Sequence, residues 1–470
     1  MTRKMFQVSR VALVLITFAV CLSLIFDTRV MLLNAYVYER CLMQIICLGL
    51  FLWASCLYEK KRKVFSTGYV FLLINVYLNS TVCPCYYTAN RLLAMERDAY
   101  NMPSDHYNIY MMVYFIFMAV VIAYLLCVKH TTEDIKRYDF IDYKDTDDFA
   151  VLAASVLIAW PIMEVTGVSG VMLVAPTLCY FFGRIIYTNY SLSQGLLCMA
   201  GLLLGLYGIV RVLDQRYLVI EYLMPLILIF CVFVAVNDNK EKGKKVVPLL
   251  CIAIVAVLLY GMVSEIVKLN TYWEKSYDFA TEFTNLKSYF DFAANQIYRI
   301  FGIWTILGGN IIEHTMLNGY YYGITYIKAL APYLGFEYVS LPVISARYIA
   351  ASYAQPGLLA EGYANFGILG AVINMLVPFA LAETALHFFL KKRNGFWLCM
   401  LSIPFVKVLL DGGTINSIIV GAAFCIIVFS LYLVLEFFGI RIKSIEQIRI
   451  RIFKKPRYEN HQTDLEEKRG

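Results

Sequence analysis

Glu361 and Asn365 lie four residues apart in the run GLLAEGYANFGILG, which spans Gly357–Gly370. On a helix that spacing puts a carboxylate and an amide on one face. Both fall just inside a long apolar segment. Ionisable groups are costly in a membrane-spanning helix and usually face a protein interior or a water-filled site. A carboxylate held there can orient or deprotonate a hydroxyl. The neighbouring glycines Gly357, Gly362, Gly367 and Gly370 allow close approach by backbone or ligand. The alternative is helix packing through small residues, with Glu361 paired structurally to an arginine.

Upstream, Glu313-His314 is the carboxylate–imidazole neighbour pair of the segment 268–357. Histidine has the intrinsic pKa for general-base work. Adjacent helical residues do not face each other, so an ordinary surface pair is the other reading. Arg299 sits between Tyr298 and the apolar run Ile300-Phe301-Gly302-Ile303-Trp304. It offers a planar multi-donor fork to a phosphate or diphosphate, or it snorkels to lipid headgroups. Arg347 belongs to the same segment. Arg211 and Arg216 flank Asp214 at the end of an expected helical hairpin; they line the same outer cavity or are plain loop charges. The chain has no phosphate-binding P-loop, no strand-linked GxGxxG, no HExxH and no CxxC pair, so no metal or nucleotide cofactor is expected. Asp145-Thr146-Asp147-Asp148 reads as an acidic inner loop with solvated charges. Cys83-Pro84-Cys85 is too tightly spaced for a usual metal pair.

These residues need elements to position them, and composition names the class. Hydrophobic residues make up 60% of the 470, aromatics 15% and charged residues only 16%, with mean hydropathy +0.65. That excludes an ordinary soluble domain. The expected fold is all-α, a polytopic transmembrane bundle. Apolar runs of span length fall near 9–26, 41–58, 64–83, 108–128, 150–168, 171–188, 191–212, 217–236, 246–267, 358–388, 396–412 and 414–437, about twelve in all. The 358–388 run exceeds one crossing, which implies tilt or extension beyond the bilayer. Glu164, Arg184 and Lys407 interrupt their runs. The net charge of +7 does not mark a nucleic-acid binder, because the basic residues sit between spans. Most of the 13 cysteines lie in apolar runs, where cysteine acts as a small hydrophobe.

Basic clusters orient the chain. Lys60-Lys61-Arg62-Lys63, Lys129/Lys136/Arg137/Lys144, Lys240/Lys242/Lys244/Lys245, Lys391-Lys392-Arg393 and the tail after Phe438 all fall on one side. Both termini are therefore expected inside. The chain divides into N-terminal spans (1–267), a large outer loop (268–357), C-terminal spans (358–437) and a basic cytoplasmic tail (438–470). The outer loop is rich in Tyr, Trp, Phe and apolar stretches, so it should be folded against the membrane as short helices. Arg184 falls at the inner end and stays outside the candidate site.

The Gly357–Gly370 run resembles the E-x-Y-x-N-F-G signature of Wzy-type oligosaccharide repeat-unit polymerases, including O-antigen polymerases. The stretch from Arg299 to Tyr326, ending YYGITY, resembles that family's R…G-x-T-Y region. The likeness covers about 290–390, and the remainder agrees in general plan. O-antigen ligases share this plan, and His314 keeps them as an alternative.

The resemblance implies glycosyl transfer at the outer face of a bacterial cytoplasmic (inner) membrane. The donor would be a growing glycan on polyprenyl (undecaprenyl) diphosphate, and the acceptor a single lipid-linked repeat unit. Arg299 and Arg347 would stabilise the leaving diphosphate, and Glu361 or His314 would serve as base. Asn365, Glu313, Tyr363, Arg211 and Arg216 are the candidate substrate contacts. Expected partners are the lipid-linked oligosaccharide, membrane lipids and a chain-length regulator. A flippase for the same lipid is a further alternative, but one long loop and the lack of repeats argue against it.

Overall fold

In the computed structural model of the chain, the described residues are 104–127, 145–159, 171–187, 195–203, 278–288, 303–327, 339–347, 356–392, 395–404 and 414–438, with scattered positions in 42–57, 255–270 and 334–337. Among the described residues there are helices and no strands. In chain order they are α1 (Ser104–Cys127), α2 (Asp145–Ala154), α3 (Val171–Tyr187), the short α4 (Phe279–Thr284), α5 (Ile303–Asn318), a 3-10 turn (Ile324–Tyr326), α6 (Leu341–Arg347), α7 (Gly357–Lys392), α8 (Gly395–Ser402) and α9 (Ile415–Phe437). A π-helical turn, Ser155–Ala159, continues α2.

Among the described residues three stretches are long and apolar enough to cross a membrane: Asn108–Cys127, Gly357–Phe389 and Ile415–Leu435. The expected spans near 108–128 and 414–437 thus coincide with α1 and α9. The spans expected at 9–26, 64–83 and 217–236 lie outside the described residues.

The stretch Gly357–Phe389 overturns the expectation of one long helix, tilted or extended beyond the bilayer. Phe366 leaves helical geometry (φ −141°, ψ 23°) and Gly367 adopts φ 64°, ψ −150°. That second conformation is open essentially to glycine alone. The chain folds back there, so 357–365 and 368–392 form two limbs of a hairpin. The Asn374 amide donates to the Leu358 carbonyl at 3.1 Å across 16 residues. A Cβ built on Gly362 would collide with the Gly370 carbonyl, and one on Gly370 with the Gly362 carbonyl. Glycine at both positions lets the limbs touch backbone to backbone.

The main core joins α1, α3, α7, α8 and α9 through Tyr114, Phe117, Tyr180, Phe181 and Phe424, all fully buried. Phe379 on the long limb of α7 meets Phe117 edge-on at 6.3 Å and Tyr124 at 5.9 Å. A smaller cluster of Ile311, Leu341, Ala360 and Ala364 packs α5 and α6 onto the short limb.

Two polar centres mark opposite ends of α9. At its start, the Ile415 N–H meets Glu361. Near its end, Tyr432 and Leu435 pack on Ala150 of α2. Beside Ala150, Asp148 is enclosed, bonded to Arg184 at 3.0 Å and to the Tyr180 hydroxyl at 2.8 Å. The acidic run at 145–148 is therefore the first turn of a helix. Its Asp148 is a buried partner of Arg184, not a solvated loop charge, because α3 brings a guanidinium against it.

Candidate functional site

The site grows from the tip of the α7 hairpin. Asn365 is the last helical residue before the break and is fully buried. Its carbonyl oxygen accepts the Gly323 N–H at 2.7 Å. Its amide donates to the Thr325 hydroxyl at 2.6 Å and to the Glu361 carbonyl at 2.8 Å. The amide group is thus consumed in clamping the segment 319–326 to the hairpin. A second strap is the Tyr321 N–H, which donates to the Ala364 carbonyl at 2.9 Å. A third is Tyr326, whose hydroxyl donates to the Asn374 side chain at 3.0 Å. Burial, and then the nearby Glu361 carboxylate, push the Tyr326 hydroxyl up to about 12, so it stays protonated as a donor.

The segment 319–326 folds this way for local reasons. Gly319, at φ 87°, follows α5 in the left-handed conformation, and its N–H returns to the Thr315 carbonyl at 2.8 Å. That is a glycine C-cap. Gly323, at φ 91°, opens the 3-10 turn.

Glu361 lies one turn below Asn365 and is also buried. One carboxylate oxygen accepts the Ile415 N–H at 2.6 Å, at the start of the 23-residue α9. A helix N-terminus leaves N–H groups unpaired and carries partial positive charge, so it suits a carboxylate. The Thr325 hydroxyl faces the same carboxylate. Among the described residues no arginine or lysine forms an ion pair with Glu361. Its partners among the described residues are a backbone N–H and a hydroxyl.

His314 stands at the other edge of the clamp, half-exposed on α5. Its Nε2 lies 2.8 Å from the Tyr321 hydroxyl and the two rings stack. Its Nδ1 lies 3.2 Å from the Asn318 amide. Partial burial, and secondarily the positive charge of Arg347 at the end of α6, hold the imidazole below the usual histidine value. Glu313 is half-buried beside it, but His314 turns to Asn318 and Tyr321, as neighbours on a helix must diverge.

The structure therefore brings Glu361, Asn365, His314 and Tyr363 around one segment, while Arg347 reaches it only through its charge on His314. Tyr363 sits in the core against Tyr320, ring centres 6.3 Å apart. Arg299, Arg211 and Arg216 lie outside the described residues. Among the described residues no group of three His, Cys, Asp or Glu converges as metal ligands would.

A model for a family of unknown function, DUF6032, matches residues 1–467. The chain belongs to that family. No curated protein and no solved structure matches it. What this DUF6032 member does must be argued from its own residues.

Asn374 and the Ile415 N–H go unread in the sequence, and Tyr321, Thr325 and Tyr326 are read there only as part of the YYGITY stretch, without their contacts. Asn374 shows why. Nine positions beyond Asn365 on an unbroken helix would be turned by about 180°, onto the opposite face. Only the fold at Gly367 returns it to the same cluster. The available signal was Gly367 itself, followed by a polar residue deep in an apolar run.

Proposed function

We propose that this DUF6032 chain is a membrane glycosyltransferase that polymerises lipid-linked oligosaccharide repeat units. One observation carries the reading. The two segments that resemble the polymerase signature, G-x-T-Y at 323–326 and E-x-Y-x-N-F-G at 361–367, interlock directly. Asn365 bonds Gly323 and Thr325 across 42 and 40 residues. Two short likenesses that meet in space form one constellation.

The chemistry assigned is a single displacement. The acceptor hydroxyl oxygen attacks the anomeric carbon of the donor glycan. The bond from that carbon to the diphosphate oxygen breaks, and polyprenyl diphosphate leaves with the electron pair. The hydroxyl proton passes to a base. His314 suits that role better than Glu361. It is half-exposed, and its depressed pKa keeps it neutral near pH 7. Glu361 is enclosed and already accepts from Ile415, so it acts by holding the start of α9 against the hairpin. Arg347, whose charge is felt at His314, and Arg299 supply positive charge as the diphosphate departs.

With the orientation expected from the basic clusters, this centre faces the outer leaflet of a bacterial cytoplasmic membrane, and the Asp148–Arg184 end faces inward. Membrane lipid and a chain-length regulator are the accompanying partners. The nearness of Arg347 to His314 also suits an O-antigen ligase, which would move the finished glycan to another acceptor.

Deleting the gene and resolving lipid-linked glycans on a gel tests the assignment. Accumulated single repeat units support the polymerase. Full-length chains retained on the carrier indicate the ligase, and an unaltered profile overturns both.

A further inference from the structure

Three aromatic rings stand exposed around the clamp. Tyr320 is 45% exposed, Tyr322 74% and Phe366 50%. Two come from the run Gly319-Tyr320-Tyr321-Tyr322-Gly323 and the third from the hairpin break. The Tyr320 and Tyr322 rings lie 6.4 Å apart at 70°, and Tyr320 is backed by Tyr363. Phe366 adjoins Gly323 and the Tyr326 ring. Tyr321, between the two exposed tyrosines, is tied to His314 instead.

The backbone singles out Tyr322. Its φ of 49° makes it the non-glycine residue at positive φ among the described residues. Glycine would hold that conformation without steric cost, and a bulky aromatic there is strained. Such strain persists when the surroundings over-determine it, and it gathers at ligand-binding positions. The surroundings do so here. Tyr321 is pinned to Ala364 on one side of Tyr322, and Gly323 to Asn365 on the other. A rigid, strained mount fixes the direction of an exposed ring. Anchoring in lipid headgroups needs no fixed direction, because the interface accepts an aromatic ring in many orientations. Stacking on a sugar ring does need one, because the C–H face must meet the π face.

We infer that Tyr320, Tyr322 and Phe366 form a stacking platform for a sugar ring of the lipid-linked substrate, with Tyr322 as its main contact. The platform rests on the glycosyltransferase reading and deepens it: it places a saccharide subsite in the same short segment that holds His314.

The probe is oligosaccharide released by mild acid from the lipid-linked pool of the deletion strain. It is titrated against the full-length protein in lipid nanodiscs and followed by saturation transfer from aromatic protons. Wild type is expected to bind, and Tyr322→Trp to bind comparably. Tyr322→Gly, which removes both ring and strain, should weaken binding about fivefold or more while its thermal midpoint is kept or raised. Unchanged binding by Tyr322→Gly overturns the platform and leaves the glycosyltransferase reading standing. Exposed Met316 and Leu317 nearby make lipid anchoring the rival. If Tyr322→Gly lowers membrane retention while saccharide binding persists, the rings are anchors and the inference fails. If wild type itself neither binds nor polymerises, the broader reading falls first.

Discussion

The Glu361 carboxylate accepts the Ile415 N–H at 2.6 Å, joining the short limb of α7 to the first residue of α9 across 54 positions of sequence. Glu361→Gln keeps a carbonyl oxygen for this bond, whereas Glu361→Ala leaves a buried N–H without a partner. An orphaned buried donor costs about 1–3 kcal/mol. Glu361→Ala is expected to insert yet make no long-chain glycan, and Glu361→Gln to retain more product. Gel analysis of glycan length alongside membrane protein abundance checks both. Normal chain lengths in the alanine variant would remove Glu361 from the mechanism.

Gly367→Ala tests the hairpin. Its φ 64°, ψ −150° conformation costs a side-chain-bearing residue about 1–3 kcal/mol. The expected outcome is a lowered thermal midpoint and loss of activity. Gly362→Val should be worse, because its side chain meets the Gly370 backbone rather than a yielding side chain. A Gly367→Ala protein as stable as wild type would argue for a continuous helix.

The histidine gives a pH dependence with a definite sign. Its folded pKa is depressed by burial and by Arg347, so the unfolded chain binds its proton more readily. Stability from this group is present above the unfolded value and is lost as pH falls through that value towards the folded one. If the neutral ring is the base, activity falls on the acid side with a midpoint below that of an ordinary histidine. Arg347→Ala removes a repelling charge and should move that midpoint to higher pH. A pH–rate series on membranes carrying Arg347→Ala and His314→Gln reads this directly. An acid limb that survives His314→Gln assigns it to another group.

Away from the clamp, Arg184→Ala should destabilise by about 3–5 kcal/mol, since it strands the buried Asp148 carboxylate. Adding Asp148→Ala should recover part of that loss. A detergent-stability series on the two single variants and the double variant is the measurement, and additive losses would contradict a direct pair.

The large loop yields a final expectation. Arg299→Ala is expected to abolish polymer without affecting insertion. Cysteines introduced in 268–357 should react with an impermeant thiol reagent from outside the cell. Labelling from the cytoplasmic side would invert the orientation on which the site's location depends.

Periodicity and hydropathy made part of this architecture readable. The runs at 108–128 and 414–437 became α1 and α9 because an apolar helix of that length has few other options. The pairing of Glu361 with Asn365 followed from helical spacing alone. The break at Gly367 did not follow, because hydropathy sums side chains and is indifferent to chain direction. Both limbs are apolar, so 358–388 read as one run. Asp148 was misread for the opposite reason. Its local neighbours are polar, and only α3, distant in sequence, supplies Arg184. The contacts at Thr325 and Tyr326 likewise depend on a partner forty or more residues away.

The short limb of α7 has a consequence for depth. Residues 357–365 rise about 13 Å, less than half of a bilayer's hydrocarbon core. Backbone groups at its lower end need partners that acyl chains cannot give, so protein or water must accompany the chain down to that level. A ledge part-way through the bilayer suits a ligand of two natures. For the lipid-linked substrate proposed above, the greasy portion would stay among the lipids while the sugar end rests above, and nothing so amphiphilic would need to be lifted into water to be worked upon.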